Sequence, residues 1–444
     1  MTDSHVTKST GAPAGRCLII GAGILGCATA LELSRQGRDV LVVDAGPAAG
    51  SGSTGASSAI VRFHYSTWES VAIAWESYHS WIDWERYLGV SDPAGMAAYI
   101  QTGGLVLDPT GQEAGAVLSI FDDVGVPYIR LTPVSIRERF PAIDPGTYGP
   151  PELVESEEFW RDATGEMGGY LTPDAGYVDD PQLAAHNLMH AAQTHGAEFR
   201  FNVRVTDILL RGGRAGGVVL NTGERLSASV VVNVGGPASD LLNQIAGVTD
   251  DMTVRGRPLR TETHVVPAPP SFEVGSGGVF VTDPDLGSAF RPQTGGFVHV
   301  SSIEPECDPL EWVEDPNDFD ERPTMARYEA QTYRVARRMP QLTVGNRPQG
   351  LAALYDVTPD WTAIYDCSSL PGFYMACGTS GNAFKNAPSV GRFMAALIAA
   401  CEGGHNHDGD PISVELPMTK RSVSLATFSR RRLVGPNAAK NVIG

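Results

Sequence analysis

The feature that most constrains this chain is a glycine turn set between two short, wholly apolar runs. Cys17-Leu18-Ile19-Ile20 is apolar at every position, so a strand built from it must be covered on both faces, as in a parallel sheet. Gly21-Ala22-Gly23-Ile24-Leu25-Gly26 follows, and Ala28 to Gln36 reads as a helix ended by Gly37. Val40-Leu41-Val42-Val43 is a second buried strand, closed by Asp44. Together these form a βαβ unit and predict an α/β fold with a doubly wound parallel sheet. Gly21 permits a tight turn, Gly23 lets backbone approach a pyrophosphate, and Gly26 lets helix pack on strand. The N-terminus of the helix offers N–H groups to phosphate, with Ile24 of the turn among the expected cofactor contacts, and Asp44, with Ala45 beside it, is placed to take ribose hydroxyls. The expectation is a dinucleotide site, and this motif does not distinguish nicotinamide from flavin.

At 444 residues the chain exceeds what one core usually supports, so two domains are expected. Its 42% apolar and 19% charged residues are ordinary for a globular protein. A net charge of −18 disfavours nucleic acid. The charge is uneven: after Glu415 there is no acid, whereas Lys420, Arg421, Arg430, Arg431, Arg432 and Lys440 occur. Residues 404–444 therefore read as a basic tail, docked on the acidic body or solvated, with a partner- or membrane-contacting tail as the alternative. His405, His407 and Asp408 sit among Gly, Asn and Asp and read as a solvated loop rather than a metal site. Cys17, Cys27, Cys307, Cys367, Cys377 and Cys401 show no CxxC or zinc spacing and read as reduced thiols. The first sixteen residues have no apolar core of a signal peptide, and no run of about 18 apolar residues occurs, so a cytoplasmic protein is expected.

Further along, Trp68 to Tyr87 reads as one long helix whose tryptophans pack in a core. Pro181 to Gly196 is a helix with proline near its start. Phe199 to Val205, Val218 to Leu220 and Val230 to Val234 read as strands, with Gly212-Gly213 and Gly216-Gly217 as hairpin turns between them. The last run enters Gly235-Gly236-Pro237, where backbone can approach a ligand. Short strands at Val279 to Thr282 and Phe297 to Ser301 precede an Arg-rich helix from about Thr324 to Arg338. Gly372 to Cys401 runs strand, glycine-rich turn, helix. This alternation predicts a discontinuous dinucleotide-binding domain at 16–95, 172–248 and 350–403. A second domain with an antiparallel sheet is expected at 96–171 and 249–349.

Over about residues 16–403 the chain resembles the D-amino-acid-oxidase-like flavoprotein superfamily, in particular its sarcosine oxidase and dimethylglycine dehydrogenase branch. The resemblance rests on the glycine turn and four further places. These are Ser53-Thr54-Gly55-Ala56-Ser57-Ser58 leading to Arg62 and Tyr65; Gly196 to Gly236; Tyr355 with Thr358-Pro359-Asp360; and Gly378-Thr379-Ser380-Gly381-Asn382-Ala383-Phe384-Lys385, followed by Ala387-Pro388 and Gly391. It implies FAD as cofactor. It implies flavin contacts at Ser53, Thr54, Ser57, Ser58, Val205, Gly235 and Gly236, and along Gly378, Ser380, Gly381, Asn382, Phe384 and Lys385. It implies that Arg62 and Lys385 clamp a substrate carboxylate, a fork and a point charge respectively, and that Tyr355 contacts substrate.

Two departures from the family pattern matter. Ala353 stands where some relatives attach flavin through cysteine, and Ser57-Ser58-Ala59 where others use histidine, so non-covalent FAD is expected. Val298 is the nearest match to the lysine that fast oxygen-reacting relatives carry over the flavin, with His299 beside it as a substitute. The implied activity is oxidation of a small carboxylate-bearing amine to an imine, with electrons passed to oxygen or another acceptor. Oxidation of a hydroxy acid or cyclic amine, an NAD-dependent dehydrogenase, and a non-catalytic electron-transfer flavoprotein stay open as alternatives.

Overall fold

The computed structural model describes residues 15–108, 113–435 and 441–442. Cys17–Ile20 lies parallel to Val40–Val43 and to Val230–Asn233 inside a six-stranded sheet. Across that sheet the order is Glu198–Arg200, Val40–Val43, Cys17–Ile20, Val230–Asn233, Phe373–Cys377 and Ile364–Cys367, the last antiparallel to its neighbour. The two opening strands are buried at every residue, which is why their sequences show no alternation. The helix Ile24–Arg35 begins four residues earlier than its apolar pattern indicates, because Gly23, in extended backbone, already serves as its N-cap. It packs on Pro181–Thr194 and Ala387–Glu402. The last contact is close: a Cβ on Gly391 would lie 2.6 Å from the Ala28 carbonyl oxygen.

Three local readings are corrected. The stretch Trp68 to Tyr87 is two helices, Trp68–Trp81 and Trp84–Leu88. Asp83 leaves helical geometry at φ −131°, ψ 53°, and the break lets Trp81 and Trp84 stack at 4.3 Å. The run Phe199 to Val205 divides at Asn202, which has φ +58°. Glu198–Arg200 stays in the parallel sheet, while Val205–Arg211 starts a separate three-stranded antiparallel sheet. Gly212-Gly213 makes the hairpin turn there, both residues having positive φ. Gly216-Gly217 does not turn; it lies within Arg214–Leu220 near a register shift, as in a β-bulge.

The second large sheet, of nine strands, is mostly antiparallel. Arg257–Pro267 pairs with Phe297–Ser302 on one side and Gly350–Val357 on the other. Gly350–Val357 falls in a stretch the sequence assigns to the dinucleotide-binding part, yet it hydrogen-bonds into this second sheet. One face carries Val266, Val281, Phe290, Val298 and Val300 in an apolar cluster that includes Tyr328 and Val335 of the helix Met325–Arg338. Val298 therefore points away from the face bearing Thr261 and Thr263, which is the side turned to the cavities described below.

The described part of the basic tail is docked; Lys440 lies outside the described residues. Arg430 is 0% exposed and donates to Asp251, Asp366 and Asp408, with Nη1 2.8 Å and Nη2 2.8 Å from the two Asp408 oxygens. Arg432 holds Asp360 at 2.7 and 2.8 Å. The loop around His405 and Asp408 is thus not simply solvated as its composition indicates: His407 is 3% exposed, and Asp408 is drawn in by Arg430. Asp366, Cys367 and Asp408 converge, and the Arg430 guanidinium supplies the countercharge among them. Among the described residues no helix is long and apolar enough to cross a membrane.

Candidate active site

Three cavities run into one another between the two sheets. The first, of about 720 Å³, lies at the C-terminal ends of the opening strands and is lined by Gly21, Asp44, Ala45, Ser53, Val205 and Gly235. It shares Ser53, Ala56, Leu351, Ala353 and Leu354 with a second cavity of about 130 Å³, where Gly23, Ile24, Thr54 and Gly236 appear. That one shares Ser57, Ser58, Tyr355, Gly381 and Phe384 with a third, where Arg62, Asn382 and Lys385 join the wall. Residues separated by more than 360 positions in sequence thereby border adjoining cavities.

The glycine turn is sterically committed. A Cβ on Gly21 would sit 2.2 Å from the Val234 carbonyl oxygen, at φ +111°, and one on Gly26 would sit 1.9 Å from the Gly21 carbonyl oxygen. Gly26 therefore acts behind the cavity, as the close-packing glycine. Asp44 accepts from the Ala22 and Gly46 N–H groups, each at 2.6 Å, and so also clamps the turn it closes. The Ile24 N–H donates to Thr54 Oγ1 at 3.0 Å, joining the helix start to the 51–56 loop.

At the far end the turn from Gly378 to Lys385 is stitched to the strand Gly350–Val357. Asp356 is the pin. Its Oδ1 accepts from the Thr379 N–H at 3.0 Å, and its carbonyl oxygen accepts from the Ser380 N–H at 3.0 Å. Burial pushes the Asp356 carboxyl up to about 6, against hydrogen bonds from Thr379 and Gly378. Gly378 and Ser380, with φ +62° and +50°, shape this turn from behind, and neither lines the three cavities. Gly381 has no room for a side chain: a Cβ there would lie 2.7 Å from the Tyr355 ring. Asp356 was not singled out from the sequence, where an Asp beside a Pro-containing turn looks like an ordinary loop residue. The tryptophans add support: Trp81 Nε1 donates to the Lys385 carbonyl oxygen at 2.7 Å, and its ring stacks on Phe384.

Two cations meet at the third cavity. Arg62 Nη2 donates to Asn382 Oδ1 at 3.0 Å, and its guanidinium lies over the Tyr65 ring at 4.3 Å. Lys385 is 3% exposed, with Nζ 4.8 Å from the centre of the same ring and donating to the Asn382 carbonyl oxygen at 2.6 Å. Burial pushes the Lys385 ammonium well below its usual value, and the Arg62 charge acts in the same direction. A carboxylate is the ligand that offsets both effects. The Tyr65 hydroxyl is buried with no hydrogen-bond partner among the described residues. Tyr355 is held neutral, its phenol pushed up to about 12 by burial. His64 is likewise neutral, pushed down to about 3 by burial and by Arg62. His299 lies on the sheet face of Thr263, the side turned to the cavities, but does not line them; it pairs with Arg291 on the next strand, and burial together with Arg291 holds it neutral.

A family model described as FAD dependent oxidoreductase matches residues 16–397. The chain is similar to a D-amino acid dehydrogenase of Paramagnetospirillum magneticum, 22% identical across 89% of this chain and 97% of that one. It is also similar to a probable sarcosine oxidase of Arabidopsis thaliana, 22% identical across 87% and 88%. Among solved structures, L-proline dehydrogenase from P. horikoshii shares the fold at TM-score 0.72 and 21% identity, over 88% of this chain and 94% of that one. Glycine oxidase from Geobacillus kaustophilus does so at 0.70 and 20%, over 95% and 100%.

Proposed function

The chain belongs to the FAD dependent oxidoreductase family, and on that premise we propose that it oxidises a small carboxylate-bearing amine, an amino acid or N-methyl amino acid, to an imine that water then hydrolyses. The observation that carries this reading is the pair of buried cations, Arg62 and Lys385, on the wall of the innermost cavity. The sarcosine and D-amino-acid activities named for its relatives agree with a substrate of that charge.

The residues present fit FAD. Gly23 leaves the turn without a side chain beside the cavities, Asp44 borders the cavity of about 720 Å³, and Tyr355 borders the adjoining one of about 130 Å³. Gly21 to Gly26, Asp44 and Ser53 to Ser58 would hold the nucleotide, and Ala353 with the Gly381 to Phe384 stretch would flank the ring. FAD supplies the two-electron redox chemistry when bound. The chain's own groups do the rest. Arg62 and Lys385 fix the carboxylate by a charged fork and a point charge, which sets the amine carbon in one orientation. Tyr355, neutral throughout the physiological range, offers a hydroxyl to the substrate. Burial of the cavity excludes water and strengthens each charged contact.

The test is anaerobic titration of the yellow protein with sarcosine, dimethylglycine, proline and a panel of D- and L-amino acids. Bleaching by one of them supports the reading, and ammonia or formaldehyde among the products identifies the bond broken. Readmitting air then separates oxygen from another electron acceptor. A flavin that no amine bleaches, but that a 2-hydroxy acid does, overturns the amine assignment.

A further inference from the structure

The innermost cavity already holds a piece of the chain. Val442 lies on its wall together with Arg62, Lys385, Tyr355 and Gly381. Its carbonyl oxygen accepts from Arg62 Nη2 at 2.5 Å, from the nitrogen that also donates to Asn382. Its side chain packs on two apolar groups, one containing Phe280, Ala289 and Ile303, the other Leu259, Val357 and Trp361. With Val442 seated, about 50 Å³ of this cavity remains. A water needs roughly 10–15 Å³ of such space, so about four fit, fewer heavy atoms than the six of sarcosine. A substrate and Val442 therefore compete for one place.

We propose that Val442 is a built-in occupant of the substrate pocket, standing in for an aliphatic amino acid with a valine-sized side chain that must displace it. The inference rests on the amine-oxidation reading and names its substrate class. The Val442 carbonyl takes the place of one carboxylate oxygen on Arg62, and its isopropyl group marks where the substrate side chain packs. Displacement is local. The tail is anchored at Arg430 and Arg432, whereas Leu433 just beyond is 89% exposed. Val442 can thus be displaced while the anchor at Arg430 and Arg432 stays. An aliphatic α-amino acid that packs on Phe280 and Ile303 gains what glycine and sarcosine cannot, since the apolar part of the pocket stays empty or wet behind them.

The experiment compares the FAD-loaded full chain with a chain ending at Arg432. The probes are redox-inert carboxylates, isovalerate and acetate, read by perturbation of the flavin spectrum and by calorimetry. Loss of a tail seated more than nine-tenths of the time is expected to tighten isovalerate binding about tenfold or more. In the shortened chain isovalerate should bind roughly 10- to 60-fold tighter than acetate, its three added carbons each contributing up to about fourfold. A synthetic peptide of residues 433–444 should displace isovalerate from the shortened chain. Val442→Arg in the full chain, which sets a cation against Arg62 and Lys385, should reproduce the gain, so the test survives poor folding of the shortened chain. Equal isovalerate affinity in the full chain and both variants, or no displacement by the peptide, overturns the proposal. Because isovalerate is not oxidised, these readings stand even if no amine bleaches the flavin, so failure of the oxidation reading and failure of the tail are told apart.

Discussion

Replacing Lys385 by Met removes a cation while keeping an unbranched, buried side chain. Among the described residues Lys385 has no carboxylate partner; its ammonium donates to a carbonyl oxygen and sits beside Arg62. A substrate carboxylate that reaches it makes a hydrogen bond between charged groups, a contact of roughly 1.5–3 kcal/mol. At about 1.4 kcal/mol per factor of ten, kcat/KM should fall roughly 10- to 150-fold. Most of the loss should appear in KM, because the carboxylate is held equally before and during reaction. The pH profile gives a second, independent readout. Lys385 is depressed in the free enzyme, so its charged form, the one that binds carboxylate, is lost as pH rises through that lowered value. In the native chain kcat/KM should therefore decline on the alkaline side well below the usual lysine range, and in Lys385→Met that decline should vanish. The assay is steady-state turnover of whichever amine bleaches the flavin, from about pH 6 to about pH 10, paired with isovalerate binding. A variant whose kcat/KM stays within about twofold of native, with the alkaline limb intact, refutes the placement of Lys385 on the substrate.

Four further outcomes are expected. Gly21→Ala, which puts a Cβ 2.2 Å from the Val234 carbonyl oxygen at φ +111°, should yield protein without bound flavin, read from the visible spectrum; a yellow variant would show that the turn tolerates the change. Acid precipitation should release all flavin to the supernatant, because Ala353 and Ser57-Ser58-Ala59 offer no attachment group; colour in the pellet would overturn non-covalent binding. Asp356 is raised to about 6 in the fold against about 3.9 in an unfolded chain, so its protonated form favours folding and that contribution is lost as pH rises from about 4 through 6. Asp356→Asn should remove this part of the pH dependence of thermal stability while keeping an acceptor for Thr379. Arg430→Met leaves Asp366 buried without its cation and Asp251 and Asp408 weakened; it should cost about 3 kcal/mol or more in urea denaturation, and an unchanged midpoint would mean that the tail anchor is dispensable.

The parts of the molecule legible in the sequence are those fixed by local rules. Gly21, Gly23 and Gly26 are demanded by backbone contacts within one βαβ unit, so their spacing carries its own explanation. The buried runs at Cys17 and Val40 have a pattern that only a sheet covered on both faces produces. What failed was whatever depends on distant partners. Asn202 and Asp83 break elements that composition alone would continue: at Asn202 the chain leaves one sheet for another, and at Asp83 it turns so that Trp81 and Trp84 stack. Val298 and His299 differ only in which face of a strand they occupy, and that parity is set by pairing with residues 263–267 and 288–293, which local composition does not encode.

The site divides along the same line. Arg62 and Lys385 were found through a family resemblance, but what makes them a pair is that Asn382 touches both, through its side chain and its carbonyl oxygen respectively. Asp356 is not legible in the sequence because its work is to hold a turn more than twenty residues on, with no sequence mark beyond a carboxylate. The tail is the sharpest case. Its cations read as an electrostatic feature, and three of them do dock on acids. The contact that bears on function comes from Val442, an uncharged residue whose carbonyl oxygen reaches Arg62 across 380 positions. A carbonyl group has no signature in a sequence, since every residue carries one; only the fold selects which of them meets a buried cation.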